Sequence, residues 1–127
     1  MITGIGVDIV YVRRMERWCR ERRLLDRYFH PMELETAFSR GGGAVLSLAA
    51  RFAAKEAFGK ALGTGFAGMA LKDIMVINRH NGCPEINAQG TALAALQKNG
   101  ANRVHLSLTH ERDNAVAMVV LEKTGEV

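Results

Sequence analysis

The sequence is poor in cysteine and has no long apolar run. Its 127 residues include two cysteines, Cys19 and Cys83, which lie far apart and lack the short spacing of a metal-binding pair. We therefore expect two free thiols, neither of them at a functional site. The first residues carry an acid at Asp8 and no basic region of the kind that begins a signal peptide, and no apolar stretch is long enough to span a bilayer. These absences favour a cytoplasmic protein.

The positive charge of the chain is concentrated in one segment. Residues 11–29 contain seven arginines and three acids, a net charge of 7 − 3 = +4, whereas the other residues balance at 10 − 10 = 0. Apolar residues recur in this segment at roughly helical intervals, which predicts an amphipathic helix with an arginine-rich exposed side. That side is either simply solvated or binds an acidic protein, a nucleic acid or a membrane surface. The segment alone leaves these alternatives open.

Aromatic residues are also scarce, at 6% of the chain. A small nucleic-acid-binding module that used residues 13–27 would be expected to carry aromatic side chains for base stacking or a groove-reading motif. The sequence has no recognisable set of either kind, which disfavours nucleic acid as the partner.

Hydrophobic periodicity, glycine and proline divide the chain into helices and strands. The predicted elements are a strand at 3–10, the arginine-rich helix at 11–29, a short helix at 32–39, a long helix at 48–62 with Ser47 as N-cap and Gly63 as C-cap, hairpin strands at 72–78 and 84–88, a helix from Thr91 to Lys98, and strands at 104–109 and 115–122. Hairpin signals around helices favour an α+β fold, with a mainly antiparallel sheet packed against the long central helix. The length fits a single domain over residues 1–127.

The central helix has an unusual distribution of charge. In "RFAAKEAFGKALGTG", residues 51–65, apolar side chains occupy nearly all sides of the predicted helix, so we expect it to be packed on several sides. Glu56 precedes Lys60 by four residues, an orientation that gives a helical ion pair worth about 0.2–0.5 kcal/mol. Arg51 and Lys55 are like charges four residues apart, which predicts an anion between them. Phosphate is the leading candidate, because arginine and lysine are its usual partners.

Asp8 and Glu56 are two carboxylates that one magnesium ion could share. Asp8 stands near the end of the first predicted strand and Glu56 lies on the central helix. If the two elements pack together, both side chains can bind a hard cation whose other ligands are phosphate oxygens and water. Structural salt bridges explain the two acids about equally well.

Three motifs carry a family resemblance. "GIGVDIV" near the N-terminus, "RFAAKEAFGKALGTG" in the middle and "HLSLTHERDNAVAMVVLE" near the C-terminus resemble the holo-acyl-carrier-protein synthases of the 4'-phosphopantetheinyl transferase superfamily. The resemblance implies a magnesium-dependent enzyme of that fold, which transfers the phosphopantetheine arm of coenzyme A to a serine of apo-acyl carrier protein for fatty acid biosynthesis and releases adenosine 3',5'-bisphosphate. It also implies a homotrimer with active sites between subunits, and neither nucleic acid nor a membrane as partner.

The resemblance assigns roles to individual residues. It implies Asp8 and Glu56 as magnesium ligands and Lys60 as a catalytic residue, and Glu56 is the preferred base for the serine proton. The coenzyme A contacts that it implies are Lys60, Gly63, Thr64, Gly65 and His110, and the charge pattern of the helix adds Arg51 and Lys55 as contacts for other phosphates. The carrier-binding residues that it implies are Arg14, Arg20, Arg23 and Arg27.

Two positions depart from the family pattern. Tyr11 stands where a glutamate often follows "DIV", and Cys83 stands where the turn often carries a lysine before proline. The change at Cys83 removes a possible phosphate contact, so we expect an altered affinity for coenzyme A. Two other functions remain as alternatives: a small basic nucleic-acid-binding module, and a noncatalytic subunit that binds coenzyme A.

Overall fold

The computed structural model describes residues 1–39 and 41–125 and contains helices and antiparallel strands. In chain order they are β1 (Ile2–Tyr11), α1 (Val12–Trp18), α2 (Arg22–Tyr28), α3 (Pro31–Phe38), α4 (Ala44–Leu62), β2 (Ile74–Asn78), β3 (Pro84–Ala88), α5 (Gly90–Asn99), β4 (Arg103–Glu111) and β5 (Asn114–Glu122). The predicted α+β class is confirmed. No helix in these two ranges combines the length and the apolar character needed to cross a bilayer.

The main sheet has the strand order β1-β5-β4, with antiparallel neighbours, and β2 and β3 form a separate hairpin. Side chains alternate across β1, as expected for a strand with one covered face. Val10 faces the core and is 2% exposed, whereas Ile5 and Ile9 point the other way and are each 62% exposed. One face of the sheet therefore packs on α4, and the opposite face carries exposed apolar side chains.

The long helix α4 lies at the centre of the fold. Thirteen of its 19 residues are buried, and the helix packs against β1, β5, α1 and α3. It ends where predicted, at Gly63, which has a φ of 79° and donates its N–H to the Lys60 carbonyl. The prediction that this helix has no broad solvent-exposed face is confirmed.

Two glycines let β1 approach α4 backbone to backbone. A Cβ atom on Gly6 would lie 2.1 Å from the Ala57 carbonyl oxygen, and one on Gly4 would lie 2.0 Å from the Ala61 carbonyl oxygen. Gly4 thus faces Ala61 and Gly6 faces Ala57, so β1 and α4 run in opposite directions where they meet. Two residues of strand and four residues of helix both advance the chain by about 6 Å. The next inward residue of β1, Asp8, is therefore expected one helical turn before Ala57.

Three local predictions are wrong. The segment 11–29 forms two helices, α1 and α2, because the chain turns at 19–21 and packs α2 back on α1. Helix α4 begins at Ala44 instead of 48, with Gly43 as N-cap, and the Ser47 hydroxyl accepts a hydrogen bond from Arg51 inside the helix. Helix α5 has Gln89 as N-cap, whereas the Thr91 hydroxyl donates to Asp73.

Candidate active site

Asp8 and Lys60 meet where β1 crosses α4, and Glu56 lies four residues before Lys60 on the same helix. The Lys60 Nζ lies 2.8 Å from Asp8 Oδ1 and 3.2 Å from the Val7 carbonyl oxygen, so the lysine spans from the helix to the strand. The Asp8 side chain is 12% exposed and that of Lys60 is 53% exposed. The ammonium group thus keeps an open side toward solvent. The ion pair that Lys60 forms is with Asp8 and not the helical pair with Glu56.

The charges of Asp8 and Lys60 also act on Glu56. Burial raises the pKa of the Glu56 carboxyl, and the negative charge of Asp8 raises it further, while Arg14 and Lys60 act in the opposite direction. The pKa of Lys60 is raised by its hydrogen bond to Asp8, which keeps the ammonium charged. Two carboxylates and two cationic side chains therefore act on one another at this point of the fold.

This arrangement suits the chemistry of phosphate esters. Two mutually repelling carboxylates are stabilised by a divalent cation, and magnesium commonly uses one or two protein carboxylates together with phosphate oxygens. Lysine adds a cationic donor for phosphate oxygens. Within residues 1–39 and 41–125, no group of three or more His, Cys, Asp or Glu side chains is placed to hold a metal ion.

A second region is a cleft between the N-terminal half of α4, the β2–β3 hairpin and the end of β4. Its volume is about 360 Å³, and Arg51, Thr109 and His110 line it together with Pro84. The predicted contacts Arg51 and His110 are thus brought together, although they lie on elements far apart in the sequence. An arginine and a histidine in one cleft can bind an anionic group.

Lys55 does not belong to either region, and its predicted role as a phosphate contact is corrected. Its side chain is fully buried, and Nζ donates to Glu33 Oε1 at 2.7 Å, to the Leu71 carbonyl oxygen at 2.9 Å and to the Ile74 carbonyl oxygen at 2.6 Å. All three ammonium protons therefore have protein acceptors. Burial lowers the pKa of Lys55, while the Glu33 carboxylate acts in the opposite direction. The anion next to Lys55 is a carboxylate of the same chain.

Sequence reasoning missed Glu33 as this partner. The residue is 1% exposed, and its second oxygen accepts a hydrogen bond from the Val76 N–H at 3.0 Å. Glu33 stands at the third position of a helix that His30 caps and Pro31 begins, the spacing of a capping box. That spacing predicts a helix-capping role for Glu33. It does not predict the ion pair with Lys55, which lies 22 residues away.

The glycine loop after α4 lies against the helix turn that carries Lys60. The Gly65 N–H donates to the Gly59 carbonyl oxygen at 3.1 Å, and Gly65 has a φ of 61°. Thr64 lines a separate cleft of about 280 Å³, next to Leu62 and Lys98 of α5. The loop is therefore close in sequence and in space to the Lys60 end of the site.

The four predicted carrier-binding arginines lie on or just after α1 and α2 and are all exposed. Arg14 is the member whose charge acts on Glu56, lowering the pKa of that carboxyl. Its guanidinium Cζ lies 5.5 Å from the ring centroid of Trp18 and 5.2 Å from that of Phe52. Sequence reasoning did not single out these rings, although Trp18 follows Arg14 by four residues, the spacing of neighbours on one helix face.

Comparison with known proteins identifies the family of this chain. A sequence model of the 4'-phosphopantetheinyl transferase superfamily matches residues 4–119. The holo-acyl-carrier-protein synthase of Treponema denticola is 55% identical over 122 residues, which cover 96% of this chain and 99% of that protein.

Solved structures agree with the sequence relatives. The crystal structure of the holo-acyl-carrier-protein synthase from Neisseria meningitidis superposes with a TM-score of 0.87 at 38% identity, covering 97% of this chain and 100% of that one. The corresponding enzyme from Bacillus anthracis, solved in complex with coenzyme A, gives a TM-score of 0.81 at 35% identity, covering 98% and 99% of the two chains. The chain therefore belongs to the 4'-phosphopantetheinyl transferase superfamily, among its holo-acyl-carrier-protein synthases.

Proposed function

We propose that the protein transfers the 4'-phosphopantetheine group of coenzyme A to a serine of apo-acyl carrier protein at the site formed by Asp8, Glu56 and Lys60. The observation that carries this proposal is the contact of Lys60 Nζ with Asp8 Oδ1 at 2.8 Å where β1 crosses α4, close enough to Glu56 for the Asp8 charge to raise the pKa of its carboxyl. The reaction itself is inferred from family membership. The serine oxygen forms a bond to phosphorus, the bond from that phosphorus to the leaving oxygen breaks, and adenosine 3',5'-bisphosphate departs.

Asp8 and Glu56 fit a magnesium ion. Burial and the Asp8 charge raise the pKa of Glu56, so the pair of carboxylates is electrostatically strained in a way that a cation relieves. When bound, magnesium would neutralise charge on the pyrophosphate of coenzyme A and orient the reacting phosphorus. The two acids are the residues that would hold it.

The protein's own side chains perform the remaining steps. Lys60 donates to a phosphoryl oxygen on its open side and stabilises the charge that develops there. Glu56 is the proposed acceptor of the serine proton, on a carboxylate oxygen. Gly63, Thr64 and Gly65 follow Lys60 by three to five residues, and Gly65 donates to the Gly59 carbonyl oxygen, which supports their contact with the same substrate.

The cleft of Arg51 and His110 is the second part of the proposed coenzyme A site. Arg51 and His110 in its wall can donate to phosphate, and its volume of about 360 Å³ is of the size of small-ligand sites. Arg51 and Glu56 are five residues apart on α4, so their side chains leave the helix about 140° apart. This separation favours a site in which the cleft of one subunit faces the carboxylates of another.

The exposed face of the main sheet supports self-association, and a homotrimer is the assembly we propose. Ile5, Val7 and Ile9 of β1 and Met118 of β5 are 62%, 56%, 62% and 43% exposed on the side away from α4. A contiguous apolar face of this kind marks an interaction surface. A further copy of the chain is the occupant we propose, since it would also bring the two parts of the site together.

The arginine-rich helices α1 and α2 are the proposed docking surface for the carrier. Seven arginines and three acids lie within residues 11–29, and the contact residues are Arg14, Arg20, Arg23 and Arg27. An acidic carrier protein is the partner with complementary charge, and such attraction raises association rates at low salt. Fatty acid biosynthesis in the cytoplasm is the setting we propose for this reaction, performed by one domain over residues 1–127.

A mass measurement tests the proposed function. The protein is incubated with apo-acyl carrier protein, coenzyme A and magnesium, and the carrier is weighed by mass spectrometry. We expect the mass increment of phosphopantetheine on the carrier and release of adenosine 3',5'-bisphosphate. A noncatalytic coenzyme A-binding subunit would bind coenzyme A and leave the carrier mass unchanged, which would refute the proposal.

A further inference from the structure

Three aromatic rings lie under the arginine-rich surface, one from each of α1, α2 and α4; we call Trp18, Tyr28 and Phe52 the aromatic platform. Trp18 and Tyr28 stack with ring centroids 5.2 Å apart and an interplanar angle of 28°. Phe52 meets Trp18 edge-on, with centroids 5.0 Å apart. Phe52 is 4% exposed and Trp18 and Tyr28 are half-buried. The platform is therefore anchored in the core and reaches the surface.

Two exposed arginines rest on this platform. The Arg14 Cζ lies 5.5 Å from the Trp18 centroid and 5.2 Å from the Phe52 centroid, and the Arg27 Cζ lies 5.5 Å from the Tyr28 centroid. All three distances are within the range of about 6 Å over which a cation is attracted to an aromatic ring. Each arginine thus lies against a ring and remains exposed.

The platform also connects the arginine surface to the active site. Phe52 precedes Glu56 by four residues on α4, so the two side chains share one side of the helix and are about one turn apart. Arg14 lies over Phe52, and its charge acts on Glu56. A partner that binds Arg14 is therefore brought close to Glu56, the proposed acceptor of the serine proton.

We propose that the aromatic platform preorients Arg14 and Arg27 for the acidic carrier, so that Trp18 and Tyr28 are positioning residues for carrier binding. The inference rests on the carrier-docking role proposed above. An arginine that a ring already holds loses less side-chain freedom on binding than a freely rotating one. Its planar donor fork stays available to carboxylates of the partner.

Paired substitutions test the platform. Initial rates are measured with apo-acyl carrier protein from a bacterial fatty acid synthase, varying carrier and coenzyme A separately. We expect Trp18→Leu and Tyr28→Leu each to raise KM for the carrier about two- to fivefold, as expected for an exposed cation–π contact. The KM for coenzyme A changes less than twofold. Trp18→Phe and Tyr28→Phe, which keep a ring, retain most of the carrier affinity.

A matched control excludes a general effect of losing an aromatic ring. Phe38 is 41% exposed on α3, outside the platform. We expect Phe38→Leu to leave KM for the carrier unchanged. Thermal unfolding of each variant distinguishes a structural role from a positioning role. A purely structural role lowers the melting temperature and leaves KM for the carrier unchanged.

A double-variant cycle shows whether Trp18 acts through Arg14. If it does, Trp18→Leu combined with Arg14→Gln binds the carrier no more weakly than Arg14→Gln alone. Additive losses would overturn the positioning role of Trp18. Normal turnover with unchanged carrier KM in both leucine variants would overturn the platform alone, whereas a wild-type protein that forms no holo-carrier would overturn the proposed function.

Discussion

Lys55 and Lys60 are five residues apart on one helix and lie in opposite environments. Lys55 is fully buried against Glu33, whereas the Lys60 side chain is 53% exposed beside Asp8. The sequence places both lysines in a charged motif on a packed helix, but the difference between them depends on partners 22 and 52 residues away. Residue types and helical angles therefore predicted which charges need a partner and did not predict which partner each one has.

The buried pair leads to a stability prediction. Lys55→Met leaves the Glu33 carboxylate buried without its cation, and we expect the free energy of unfolding to fall by about 3–5 kcal/mol, as for other broken buried pairs. Urea unfolding measures this loss. Adding Glu33→Gln removes the uncompensated charge, so the double variant should be more stable than Lys55→Met alone. A single variant with wild-type stability and a raised KM for coenzyme A would instead restore Lys55 as a phosphate contact.

At the scale of elements, the glycines of β1 set the position of Asp8. Alternating glycine and aliphatic residues predicted the strand, and the structure adds the reason for the glycines. The strand lies so close to α4 that a Cβ on Gly6 would sit 2.1 Å from the Ala57 carbonyl oxygen. The break between α1 and α2 escaped prediction for a similar reason. At this break α2 packs back on α1, with Trp18 stacked on Tyr28, a tertiary contact that helical periodicity does not contain.

Gly6→Ala tests this close approach. Because both neighbouring groups are backbone, the strand or the helix must move, and we expect a loss of about 1–3 kcal/mol in unfolding free energy. Transfer activity should fall as well, since Asp8 shifts relative to Glu56. The matched control is Gly42→Ala, where a Cβ would meet no atom within 4 Å. Equal stabilities of the two variants in urea would contradict the proposed role of Gly6.

At the scale of the whole molecule, the main sheet has an exposed apolar face that favours binding of a partner. The α+β class and the order of most elements were predictable, because alternation in strands and glycine at helix ends are local signals. The apolar side of β1 was less informative, because a strand buried on both faces and one that meets another chain have the same pattern. The subunit number came only from the resemblance and stays a prediction.

Ile9→Glu tests the assembly. We expect the wild-type protein to have about three times the chain mass of 13.9 kDa by light scattering after gel filtration. Placing a carboxylate on the apolar face, where Ile9 is 62% exposed, should release monomers with little transfer activity. Met32→Glu is the control, since Met32 is 56% exposed on α3, outside the sheet. A monomeric wild type, or an Ile9→Glu variant that keeps the wild-type mass, would refute the proposed interface.

The central claim is that Asp8 and Glu56 hold the magnesium used for transfer, and its most direct test is the magnesium dependence of holo-carrier formation. Initial rates are followed by carrier mass for the wild type, Asp8→Asn and Glu56→Gln, with melting temperatures to verify folding. We expect each variant to be at least about 10- to 100-fold slower and to need more magnesium for half-maximal rate. A folded variant of either kind with the wild-type rate and magnesium dependence would contradict the claim.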